Sequence, residues 1–204
     1  MPTAGDELVA RPDLHGSFGM SASTHWIATA TAQSVLERGG NAFDAATAAA
    51  FVLHVVEPHL NGPGGDLVAL VAEHGRDPVV LAGQGPAPAG ATIEHFTSEG
   101  LDLVPGAGAL AAAVPGAVDA WLMLLRDKGT WRLGEVLEYA IHYAADGHRL
   151  SAAAAGVIGT VATLFQEHWP SSAQCWLTDG RAPRPGDVVV NPDYAATLRR
   201  LVAA

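Results

Sequence analysis

A single cysteine, Cys175, is all that the chain's 204 residues contain, so no internal disulfide can form. That usage fits a reducing compartment, and the thiol is expected to be buried and inert. Basic residues are scarce as well: 11 Lys+Arg stand against 21 Asp+Glu, a formal net charge of −10. Sequence-independent nucleic-acid binding needs clustered cations to neutralise phosphates, and only Arg199 and Arg200 adjoin, so no nucleic-acid partner is expected. Long apolar runs are missing. The longest, 45–56, includes Thr47 and His54 and falls short of the roughly 20 residues of a membrane span, so no membrane partner is expected either. Near the start, Asp6 and Glu7 occupy ground where a secretory peptide would carry a basic residue and an apolar stretch, and a cytoplasmic location is the expectation. Charge is low throughout, 16% against 49% hydrophobic residues, which excludes a disordered chain and leaves a folded body with a true core.

What the sequence does have is small residues, 39 alanines and 23 glycines, and these let elements approach closely. The spacing predicts a helix over 26–38, with Ser23 or Thr24 as N-cap and Gly39-Gly40 as stop. A second helix follows over 42–56, with Asn41 as N-cap and Pro58 beyond its end. It is apolar almost all round and therefore central. The loop HLNGPGGD at 59–66 leads into two apolar runs, 67–72 and 79–82, around the turn residues His74-Gly75-Arg76-Asp77. These read as a β-hairpin, apolar on both faces and therefore covered on each side. A Gly/Pro/Ala-rich loop from 83 continues towards Pro105-Gly106. Helices are expected over 117–128, over 133–145 capped by Thr130, and over 152–168 capped by Ser151. The stretch 170–185 has no regular period, and Asn191-Pro192-Asp193 starts a last helix. No linker marks a second domain, so 1–204 reads as one unit.

Few residues suggest chemistry by themselves. His54 and His59 flank Glu57 near Asp66, but a five-residue spacing across Pro58 does not put two imidazoles on one helix face, and no metal site is assigned. His25, His142 and His148 lie beside no nucleophile motif, so no catalytic residue is assigned within the chain. The glycines at 62–65 and 83–85 lack the lysine and helix start of a phosphate loop, and no cofactor is expected. The first of these loops reads either as a structural turn or as a nest of N–H groups for an oxyanion or a substrate carboxylate.

The motifs taken together carry more. GGNAFDAA at 39–46, VVEPH at 55–59, GPGG at 62–65, APAGAT at 87–92, VPG at 114–116, LEYAI at 137–141 and DG at 146–147 resemble, in order and spacing, the N-terminal part of the large subunit of the γ-glutamyltranspeptidase family. The resemblance runs from about Gly19 onwards. It implies an α+β fold, the helix-rich N-terminal portion of a four-layer αββα sandwich in the N-terminal-nucleophile hydrolase class. It also implies a self-cleaving proenzyme whose new N-terminal threonine attacks an amide, with its own amino group as base. That threonine would lie outside these residues, on a second, small subunit that is the expected partner, and the substrate would be a small-molecule amide. Members acting on γ-glutamyl compounds, glutathione among them, carry an arginine just before the A-P step to pair with the substrate carboxylate. Here Gln84 stands at that position, an amide without charge, and it is the substrate-binding residue that the resemblance implies. The readings left open are a γ-glutamyl transferase or hydrolase, a related amidase or acylase with another acyl group, and a non-catalytic module that needs a partner chain.

Overall fold

The computed structural model describes residues 13–204. Its elements run α1 (Trp26–Glu37), α2 (Ala42–Val56), β1 (Val68–Val71), β2 (Val79–Ala82), α3 (Ile93–Ser98), a 3₁₀ turn (Ala109–Ala111), α4 (Ala117–Lys128), α5 (Leu133–Val136), α6 (Glu138–Asp146), β3 (His148–Arg149), α7 (Ala152–His168), α8 (Pro170–Trp176), β4 (Val188–Val189) and α9 (Pro192–Ala203). Helices dominate and the strands form two antiparallel two-stranded ladders, β1 with β2 and β3 with β4, so the chain is α+β as expected.

Helix α2 is the centre. Eleven of its fifteen residues are buried, which only a segment apolar all round tolerates. Phe51, Val52 and Val56 are fully enclosed by Val35 of α1, Leu125 of α4, Val136 of α5, Ala140 of α6 and Leu198 of α9. A smaller cluster of Leu150, Ala154, Ala155 and Ile158 packs under Trp176 and Leu177. Among the described residues no helix is long and apolar enough to cross a membrane.

Several boundaries differ from expectation for identifiable reasons. The N-cap of α1 is His25, neither Ser23 nor Thr24: its Nδ1 accepts the Ile27 N–H at 3.2 Å, while Ser23 bonds the His25 carbonyl and Thr24 bonds Glu57. Thr130 does not cap the helix after it. Its hydroxyl and N–H are both given to Asp44, and Arg132 starts α5 with the Glu135 carboxylate on its backbone N–H at 3.0 Å. The span 133–145 breaks at Leu137 into α5 and α6. Two short helices lie where loops were expected, α3, capped by Thr92, and α8, begun by Pro170 at its first turn. Gly147, at φ +95°, turns the chain from α6 into β3. Cys175 is exposed, contrary to the expected buried thiol.

Candidate functional site

Three Gly/Pro-rich segments meet at one end of the hairpin. The first leaves α2, whose C-terminal end is closed by Asn61 Nδ2 donating to the Glu57 carbonyl at 3.1 Å, and turns through Gly62 to Gly65. The second is 83–86, directly after β2, and the third is 114–117, leading into α4. Leu67 and Gly83 exchange both backbone hydrogen bonds, at 3.2 and 2.7 Å. The Gly65 carbonyl accepts the N–H groups of Gly116 and Ala117, at 3.2 and 3.1 Å, which satisfies two donors at the start of α4 that no side chain caps. The Val114 N–H donates to the Pro86 carbonyl at 3.0 Å.

Contact this close explains the glycines. A Cβ on Gly83 would stand 2.4 Å from that of Ala120, one on Gly85 would fall 1.3 Å from the Val114 carbonyl oxygen, and one on Gly116 would meet the Gly83 oxygen at 2.3 Å. By contrast, nothing lies within 4 Å of the same position on Gly62 or Gly64. The backbone on either side of Gln84 is therefore locked by packing, while the Gln84 side chain itself is exposed. A residue held in this way presents its functional group with little freedom of the main chain, as a binding wall requires.

The hairpin carries this loop. Its register sets Val68 opposite Ala82 and Val71 opposite Val79. One face lies towards α4, where Val71 is buried. The other was expected to be covered, and within this chain it is open: Val68, Leu70 and Val80 are 62%, 78% and 65% exposed.

The histidines have other tasks. His54 is buried in α2, its Nδ1 3.2 Å from the Tyr194 hydroxyl, and burial lowers its pKa to about 4. His25, Glu57 and His148 are also buried, the last with neither ring nitrogen hydrogen-bonded. Desolvation lowers the pKa of both His25 and His148, against the pull of Glu57 on His25. Sequence reasoning missed this grouping of residues from three distant stretches; no local spacing signals it. His142 is at the surface beside Asp146, at 2.8 Å.

Comparison with known proteins gives these residues a context. The profile of the family described as Gamma-glutamyltranspeptidase matches residues 28–204. The oxamate amidohydrolase proenzyme of Klebsiella pneumoniae subsp. pneumoniae is 36% identical over 193 residues, covering 91% of this chain and 36% of that protein. The solved structure of LmbA2991HD is 56% identical with a TM-score of 0.93, covering 97% of this chain and 34% of that one. The γ-glutamyltranspeptidase of Helicobacter pylori is 31% identical with a TM-score of 0.87, covering 94% of this chain and 56% of that one. The chain thus spans about a third of the length of the first two, and its fold is the helix-rich N-terminal portion of this α+β architecture.

Proposed function

Because the chain belongs to the γ-glutamyltranspeptidase family, a family of N-terminal-nucleophile hydrolases, we propose that it is the first part of the large subunit of an amide hydrolase or acyl transferase. In this reading residues 1–204 form one partial domain that supplies the helical layer, a hairpin of the sheet and one wall of the substrate pocket. The nucleophilic threonine comes from a small-subunit partner outside these residues. Its hydroxyl attacks the amide carbon, its amino group takes the proton, the amine departs, and water or a second amine receives the acyl group. The isolated chain has no activity in this scheme, and the assembled enzyme works in the cytoplasm.

One observation carries the assignment of this chain's share: Gln84, the residue at the family's arginine position, is exposed on a backbone locked from both sides by Gly83 and Gly85. The same residue favours an acyl group other than γ-glutamyl. An amide accepts and donates hydrogen bonds but lacks the charge and the bidentate fork with which arginine holds a carboxylate. The 36% identity with an oxamate amidohydrolase proenzyme supports an acyl group other than γ-glutamyl.

The test uses the complete proenzyme and two chromogenic anilides, one γ-glutamyl and one with an uncharged acyl group. Gln84→Arg is expected to raise kcat/KM on the γ-glutamyl anilide about tenfold, the gain of one charge-assisted contact. An unchanged value in a variant with native melting temperature removes Gln84 from the pocket.

A further inference from the structure

The ladder of the hairpin fixes the neighbour of Gln84. Val68 pairs with Ala82, and the double hydrogen bond between Leu67 and Gly83 continues the register one step beyond the assigned strands. A further step sets Asp66 opposite Gln84. Side chains alternate along such a ladder, so the pairs 66/84, 68/82 and 70/80 share one face, and 67/83, 69/81 and 71/79 share the other. Exposure follows this division except at Val79, beside the turn: on the inner face Val71 and Gly83 are buried towards α4 and Leu67, Ala69 and Leu81 are half-buried, whereas Asp66, Val68, Leu70, Val80, Ala82 and Gln84 are all exposed. The outer face is therefore an apolar strip that ends in a carboxylate and an amide side by side.

Directly opposed side chains start about 5 Å apart, so any group held by Gln84 lies within Coulomb reach of Asp66. Among the described residues no lysine or arginine forms an ion pair with Asp66. The Gly65 carbonyl next to it already accepts two N–H groups of α4, so the Asp66 carboxylate is the acceptor left free at this end of the loop.

We propose that Asp66 is a specificity-determining residue of the pocket lined by Gln84, selecting an acyl group that carries a protonated amine, and no carboxylate, at the end bound there. This inference rests on the reading of Gln84 given above and adds the charge of the substrate to it. The ammonium group of such a substrate donates to Asp66 while Gln84 supplies the remaining hydrogen bond. A carboxylate placed there meets the Asp66 charge with no cation to offset it.

The experiment compares three anilides of equal length in the complete, processed enzyme: one ending in an amine, one in a methyl group and one in a carboxylate. Wild-type kcat/KM is expected to fall in that order. Asp66→Asn compresses the amine-to-carboxylate ratio about tenfold, the effect of one unit charge about 5 Å away at a protein surface. Asp66→Lys inverts the preference, which an aspartate with a merely structural role would not do, since its loss would lower all three rates alike. A ratio unchanged in both variants, or a wild-type preference for the carboxylate, overturns the role of Asp66 and leaves amide hydrolysis standing. No turnover of any anilide by the wild-type enzyme overturns both readings.

Discussion

Asp44 ties two segments together with one carboxylate. It is fully buried, closes the capping box of α2 by accepting the Asn41 N–H at 2.8 Å, and accepts the N–H groups of Thr130 and Trp131 at 2.9 and 3.1 Å and the Thr130 hydroxyl at 2.7 Å. Burial pushes its pKa up, but the hydrogen bonds from Thr130, Asn41 and Trp131 outweigh it and hold the pKa below the usual value. Asp44→Ala leaves four donors unpaired and is expected to cost about 3–5 kcal/mol, read from denaturant unfolding of the complete proenzyme. A loss below about 1 kcal/mol would mean that water replaces the carboxylate at little cost. Half of this role was legible in the sequence. Asn41 announces a helix start because a polar residue follows Gly39-Gly40, but the partner at Thr130 lies 86 positions away and no local pattern reports it.

The same division holds for elements. Helix α2 was legible from its unbroken apolar character, and the hairpin from two apolar runs around a turn. The break at Leu137, the small β3–β4 ladder and α8 were not, because each is decided by packing: residues 148 and 149 become a strand only because Val188 and Val189 arrive beside them. Recognition of Gln84 came from a motif, while Asp66 required the register, which the turn centred at 74–77 already contained in outline. The lock between 83–86 and 114–117 has a sharp expected consequence. Gly85→Ala sets a methyl group on the Val114 oxygen, so the loop must move. The complete enzyme should lose at least tenfold in kcat/KM on its amide substrate while α2 and its core persist, visible as retained far-ultraviolet circular dichroism. Undiminished turnover would disconnect this loop from the pocket.

For the whole molecule, buried imidazoles set the response to acid. The His54 pKa is depressed from 6.5 to about 4, so the unfolded chain binds the proton first as pH falls. Its contribution is fully present above pH 6.5, declines between 6.5 and 4, and amounts to about 3 kcal/mol over that window. The lowered pKa values of His25 and His148 act in the same direction. The melting temperature of the complete enzyme should therefore drop steadily below pH 6.5, with a shallower slope in His54→Gln; identical slopes would place the acid response elsewhere. The clamp between Pro86 and Val114 also bears on how the protein tolerates lengthening. Everything from 87 to 113, including α3 and the 3₁₀ turn, is an excursion whose two ends are already tied together by the Val114 N–H and the Pro86 carbonyl. Loop closure depends only weakly on the length enclosed. A fluorescent reporter inserted near Gly106, an exposed position with open space around it, would therefore hang from a closed ring and leave the geometry of Gln84 as it is.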